Sequence, residues 1–244
     1  MLDWERAQMD AGVADIFGYH ALQLGLPQLD ALHTNRMPHR WLALDGSEAT
    51  QTSPARTVDV VTDFCALPFA SSSLDLVVLP HTLEFSADPH ATLREVERVL
   101  VPEGRVVICG LNPTSLWGFR QGRSRLYRRL GVGSLFLPDG GEFLGHWRLR
   151  DWLHLLSFDV EACEFGCYRP AMRSEKWLHR FGWMDRAGAR WWPILGSAYF
   201  LVAVKRVRGM RLMGPAWKAK PVRASSSVSV ANRVAESVNL ENRD

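Results

Sequence analysis

The stretch from Asp59 to Pro113 constrains the fold more than any other part of this 244-residue chain. Three apolar, β-branched runs, DVVTDF, LDLVVL and GRVVICGL, alternate with loops and with one amphipathic segment from His90 to Leu100. Runs of this kind suit parallel strands buried on both faces, and parallel neighbours need a crossover helix between them. Asp88 and Pro89 read as the helix start, Asp at the N-cap and Pro in the first turn. Leu93, Val96, Val99 and Leu100 then recur at helical spacing, and Pro102 and Gly104 are expected to end the helix. In LPFASSSLDL, Pro68 and three serines break the chain between strands, and Asp75 suits a turn or strand start as an acceptor of backbone N–H groups.

The same alternation extends to both sides. Ala21 to Leu24 reads as a first strand followed by Gly25, and HRWLALDGS from His39 as a second ending on Asp45. Further on come a helix (LRDWLHLLS), a strand (FDVEACEFGCYRP), an aromatic-rich segment that suits a helix (EKWLHRFGWMDRAGARWWP) and a last apolar strand (SAYFLVAVKRV). The expected fold class is α/β, a mostly parallel seven-stranded sheet with an antiparallel last strand and helices on both faces. Polar residues gather at the strand ends, where open α/β sheets bind ligands.

At TDFCALPFASSSLDLVVLPHTLEFSADPHATLREVERVLVPEGRVVI the chain resembles the second half of a class I S-adenosylmethionine-dependent methyltransferase of the small-molecule type. That family runs GDAxxLPFxxxSFDLVxxxxVLEHxxDPxxxLxExxRVLKPGGxLVI. Asp63, Leu67 to Phe69, Asp75, His81, Leu83, Glu84, Asp88, Pro89, Glu95, Arg98 to Leu100, Pro102 and Gly104 fall in order at matching spacing, which is far more specific than any one short motif. The resemblance covers roughly residues 15 to 208. It implies a Rossmann-like domain over 1–208, a basic and aromatic insertion over about 112–146, S-adenosyl-L-methionine as cofactor and a small-molecule acceptor.

Carried over residue by residue, the resemblance implies cofactor contacts from Gln23, Gly25, Asp45, Asp63, Phe64, Pro80 and His81. Asp45 takes the place of a carboxylate on the ribose hydroxyls, which can accept from two vicinal hydroxyls at once. Asp63 and the Phe64 amide take the adenine edge. Where the family has a GxGxG loop, only Gly25 matches, and Leu26 and Pro27 stand at later glycine positions. Gln23 replaces an acid that holds the amino-acid end of the cofactor. His81, beyond the fourth strand, is the candidate catalytic group, an imidazole able to accept a proton as the methyl arrives. Phe85 replaces a histidine that often follows LE in the family, offering an apolar wall instead.

Other classes find less support. A net charge of +3 confines any basic patch to the Arg120 to Arg129 segment, so nucleic acid is not the expected partner. No apolar run is long enough to span a bilayer, and MLDWERAQMD does not read as a signal peptide, so a cytoplasmic location is expected. Cys65, Cys109, Cys163 and Cys167 are expected as reduced thiols. Cys163 and Cys167 would share a strand face, and no HExxH or CxxC pattern announces a zinc site. Residues 209–244 are poor in large apolar residues and suit a disordered tail. Two alternatives to a small-molecule methyltransferase stand beside it: a non-catalytic binding module that kept the sheet and lost the cofactor, and an RNA methyltransferase gripping phosphates through the Arg120 to Arg129 segment and the basic tail.

Overall fold

The computed structural model describes residues 1–46, 57–120, 143–169 and 183–207, all within one compact unit spanning Met1–Val207. The arginine-rich segment beyond Arg120 and the expected tail lie outside the described residues.

Seven strands form one sheet: β1 (His20–Leu24), β2 (His39–Leu44), β3 (Val60–Val61), β4 (Leu74–Pro80), β5 (Leu100–Leu111), β6 (Phe158–Gly166) and β7 (Ala198–Lys205), in the order β3-β2-β1-β4-β5-β7-β6. β3, β2, β1, β4 and β5 pair in parallel. β7 inserts antiparallel between β5 and β6, as expected from the sequence. The parallel strands therefore present their carboxyl ends along one edge of the sheet.

Burial follows the pleat. Leu22, Leu24, Val77, Leu79, Val106 and Ile108 face one side, where they pack with Leu93, Val96 and Val99 of helix α3 (Pro89–Val99) and Leu149 and Leu153 of α4 (His146–Leu155). Ala21, Leu76, Val78, Val107 and Cys109 face the other, under Met9 and Val13 of α1 (Leu2–Ala14). Two apolar faces explain why these strands read as near-continuous hydrophobic runs. Helix α1 lies close on β7 because Gly12 has no side chain; a Cβ there would stand 2.4 Å from the Phe200 ring.

Local chemistry places the elements. Asp88 caps α3, its carboxylate accepting from Ala91 N at 2.9 Å, with Pro89 in the first turn. Asp75 accepts from Tyr19 N and His20 N at 2.8 and 2.9 Å and so pins the start of β1 to β4. Glu95 and Arg98 of α3 hold the Leu67–Phe69 loop: Glu95 accepts from Leu67 N at 2.9 Å, while Arg98 donates to Leu67 O and Phe69 O at 3.1 and 2.9 Å.

Three expectations are corrected. Helix α3 ends before Pro102 and Gly104, because Leu100 is already extended and starts β5; the buried Lys205 ammonium ties down the last turn by donating to Glu97 O and Leu100 O at 2.6 and 2.9 Å. The DVVTDF run yields only two strand residues, since Asp59 turns its carboxylate onto Leu42 N at 2.8 Å and Asp63 enters a turn. Cys163 and Cys167 do not share a strand face, because β6 stops at Gly166 and Cys167 takes a left-handed φ of 61°.

Candidate functional site

The carboxyl edge of the sheet opens into a cleft of about 320 Å³ lined by Asp45, Asp63, Phe64, Cys65, Phe85, Ser86, Ala87 and Asp88. Each strand delivers its part through the residues that follow it. Asp45 comes directly after β2, Asp63 to Cys65 follow β3, and the residues from Phe85 to Asp88 link α2 (Thr82–Phe85) to α3. Asp63 is held in place by accepting from Cys65 N at 2.8 Å, and Phe64 is buried on the α3 side of the sheet. Phe85 is half exposed and adds an apolar wall. The Cys65 thiol is pushed above its ordinary pKa by burial and by the nearby Asp63 and Asp88 carboxylates, so it stays a neutral thiol at neutral pH. Carboxylates beside apolar walls suit a ligand that combines hydroxyl or amino donors with a flat ring.

The end of β1 is built differently. Gly25 (φ 73°) and Leu26 (φ 43°) both turn left-handed, and residues 25–38 form turns without a helix before β2. Gln23 is 2% exposed and its amide is committed to this loop. Its Nε2 donates to Leu29 O at 2.6 Å and lies 3.2 Å from Gly25 O, while Oε1 accepts from Ala31 N at 2.9 Å. Pro27 and Leu29 are buried within the loop. The structure thus brings Asp45, Asp63 and Phe64 together, while Gln23, Gly25, Pro80 and His81 are not among the residues lining the cleft. Among the described residues no helix starts in the loop that follows β1, so this loop does not itself offer an anion the amide donors of a helix N-terminus.

His81 takes a left-handed φ of 56° after β4, and its neighbour Thr82 donates its hydroxyl to Leu24 O. The imidazole, 8% exposed, lies between two carboxylates, Nε2 at 3.2 Å from Glu5 Oε1 and Nδ1 at 3.0 Å from Glu84 Oε2. Burial alone would lower its pKa; the hydrogen bonds to Glu5 and Glu84, with their charges, override this and push it up to about 10. An imidazolium with both N–H groups engaged has no lone pair to offer, so the general-base role expected for His81 does not fit this geometry. Glu84 also accepts from Leu111 N, fixing it against β5.

Sequence reasoning missed Cys65 and Ser86 to Ala87 as cleft residues, since small and neutral side chains carry no chemical signature of their own. It also missed Glu5. The available signal was a carboxylate in register with Met9 and Val13, four residues apart along one helical stripe.

Residues 28–108 match the family model described as a methyltransferase domain. The chain is 30% identical over 154 residues to the uncharacterized protein YafS of Escherichia coli (strain K12), a match covering 63% of this chain and 58% of that protein. In fold it is similar to an S-adenosylmethionine-dependent methyltransferase of Thermotoga maritima described as a possible histamine N-methyltransferase, with a TM-score of 0.56 and 13% identity over 84% of this chain and 91% of that one. A putative methyltransferase of Haloferax volcanii, solved in complex with the Trm112 methyltransferase activator, superposes with a TM-score of 0.55 and 19% identity over 83% of this chain and 92% of that one. The [4+2]-cyclase SpnF shares the fold with a TM-score of 0.52 and 16% identity over 84% of this chain and 81% of that one. The sheet order and the likeness to these structures give the chain the Rossmann-like fold of class I methyltransferases, and within that fold residues 28–108 match a methyltransferase domain.

Proposed function

We propose that this chain is an S-adenosylmethionine-dependent methyltransferase acting on a small or medium-sized acceptor. The observation that carries the reading is the cleft itself: Asp45, Asp63 and Phe64, from the ends of two different strands, share its lining. Those residues fit the nucleoside end of the cofactor. Asp45 accepts from the ribose hydroxyls, Asp63 and the Phe64 amide meet the adenine edge, and Phe85 closes the apolar side. When bound, S-adenosylmethionine supplies a sulfonium methyl that is already electrophilic, so alignment of the acceptor is the main demand on the protein. His81 therefore needs no role as a base. The acceptor's apolar body suits the pocket of about 150 Å³ lined by Leu116, Tyr168, Trp183, Met184, Trp192 and Leu195, beyond β5 and before β7.

Titration calorimetry of the purified chain with S-adenosylmethionine and S-adenosylhomocysteine tests this directly. Micromolar binding, about −8 kcal/mol, is expected, weakened about tenfold or more in both Asp45→Ala and Asp63→Ala. Full affinity in both variants would remove the cleft from the reading.

A second reading, a non-catalytic module on the same fold, draws on the loop after β1, where Gln23, Pro27 and Leu29 fill the space that glycines leave open for a ligand. A well-folded sample that binds neither compound supports this second reading. The likeness to a [4+2]-cyclase is a reminder that the fold carries other chemistry than methyl transfer.

A further inference from the structure

On the α1 face of the sheet, three side chains from distant parts of the chain converge: Glu5 in α1, His81 after β4 and Cys109 in β5. Their ligand atoms all lie within 4.8 Å of one another, and the residues are 0%, 7% and 2% exposed. We propose that Glu5, His81 and Cys109 form a binding site for a divalent metal ion of the zinc class, which ties α1 to the carboxyl ends of β4 and β5.

The donor chemistry points to such an ion. A carboxylate, an imidazole and a thiolate together suit Zn²⁺, which takes oxygen, nitrogen and sulfur donors, whereas Mg²⁺ and Ca²⁺ prefer oxygen alone. Donors on a tetrahedral zinc ion stand about 3.3 to 3.8 Å apart given bonds of about 2.0 to 2.3 Å. Atoms already within 4.8 Å reach that spacing by side-chain adjustment.

The surroundings supply what a ligating histidine needs. His81 Nδ1 lies 3.0 Å from Glu84 Oε2, and the other Glu84 oxygen is fixed by Leu111 N. A carboxylate on the far ring nitrogen is the usual outer partner of a metal-bound imidazole, setting its tautomer and ring orientation. An independent observation marks a missing cation: Glu5 Oε2 is buried with no hydrogen-bond partner. A fully buried carboxylate oxygen without a donor is costly. Two carboxylates facing one imidazole also leave this buried spot short of positive charge. Glu5 Oε2 is free to close on the same ion as the fourth donor. On binding, the Cys109 thiol proton and the His81 Nε2 proton leave to solvent, Nδ1–H stays on Glu84, lone pairs on sulfur, nitrogen and oxygen fill the bonds to the ion, and no oxidation state changes.

The test uses the full chain, stripped of metal and titrated with Zn²⁺ and with Co²⁺. Uptake of about one ion per chain is expected, with release of about two protons, a rise in melting temperature and a thiolate-to-cobalt charge-transfer absorption. Cys109→Ser is expected to abolish that absorption and weaken zinc binding at least about tenfold, His81→Gln to weaken it by a similar factor, and the exposed Cys163→Ser to change neither. If Cys109→Ser fails to fold, Glu5→Gln provides the same affinity test. A folded chain that takes up neither ion overturns the proposal. Uptake unchanged in Cys109→Ser and His81→Gln overturns it too, because the ions then sit elsewhere, for instance at the stacked surface pair His20 and His39. None of these outcomes depends on whether the strand-end cleft binds S-adenosylmethionine.

Discussion

The two halves of the sheet's carboxyl edge are built in opposite ways. After β2, β3 and β4 the chain leaves a cleft of about 320 Å³, with carboxylates and an aromatic ring on its walls. After β1 the chain fills the equivalent space with itself: Pro27 and Leu29 are buried, and the Gln23 amide bonds to Leu29 O and Ala31 N inside the loop. A glycine loop leaves backbone bare for a ligand but buries little. The loop here buries apolar surface and needs an internal hydrogen-bonding side chain to satisfy its backbone. Strand order and register can thus persist while one loop changes from a place where a ligand could rest to a piece of core.

The largest effect that would break this contrast is at Gln23. Replacing it with Glu keeps the shape and removes the donor, setting carboxylate oxygens against Gly25 O and Leu29 O in a site with 2% exposure. We expect Gln23→Glu to lose about 3 kcal/mol of stability in urea denaturation, the cost of buried groups left unpaired. If the variant is as stable as the parent and binds S-adenosylmethionine more tightly, the loop is a ligand cradle after all and the contrast fails.

Much of the open half was legible in the sequence: WLALD and VVTDF read as strand runs ending on an acid, and the resemblance to the methyltransferase family marked those acids, Asp45 and Asp63, as cofactor positions. The long series of matched landmarks was legible too, yet several of its members prove architectural. Glu95 and Arg98 hold the Leu67–Phe69 loop, and Asp75 pins the start of β1. The closed half was only partly legible. Leu26 and Pro27 announced a departure from a glycine loop, but that Gln23 braces the loop depends on where Leu29 and Ala31 come to rest. The partnership of Glu5 with His81 was beyond local reading, since the two lie 76 residues apart and meet only once α1 packs on the sheet. The place of Glu5 on the apolar stripe with Met9 and Val13 signals burial but does not name the partner.

A smaller effect sharpens the contrast from the open side. Asp88 both lines the cleft and caps α3 through Ala91 N. Asp88→Ala is expected to cost about 1 kcal/mol through the lost cap. Its ligand affinity should fall less than in Asp63→Ala, because capping rather than contact is its main work. A loss of binding larger than that of Asp63→Ala would mean that the cleft is organised around the α3 terminus instead of the ends of β2 and β3.

The smallest effect concerns the Leu67–Phe69 loop, which follows the cleft residues Asp63 to Cys65 in the chain. The hydrogen bond from Arg98, opposed in part by burial and joined by the one from Leu67 N, holds the Glu95 carboxyl below its ordinary pKa. A carboxylate whose pKa is depressed on folding adds stability above the ordinary carboxylate range and loses it as the pH falls through its folded value. The side chains of Arg98 and Glu95 are 36% and 15% exposed, so solvent screens much of the attraction. Glu95→Gln retains an acceptor for Leu67 N and removes the charge, and it is expected to cost under about 1 kcal/mol at neutral pH. The difference between parent and variant should shrink in acid, read from urea midpoints across the carboxylate range. If it persists unchanged at low pH, the loop is held by the neutral hydrogen bonds alone, and charge contributes nothing to the segment that follows Asp63 and Phe64 on the open half of the edge.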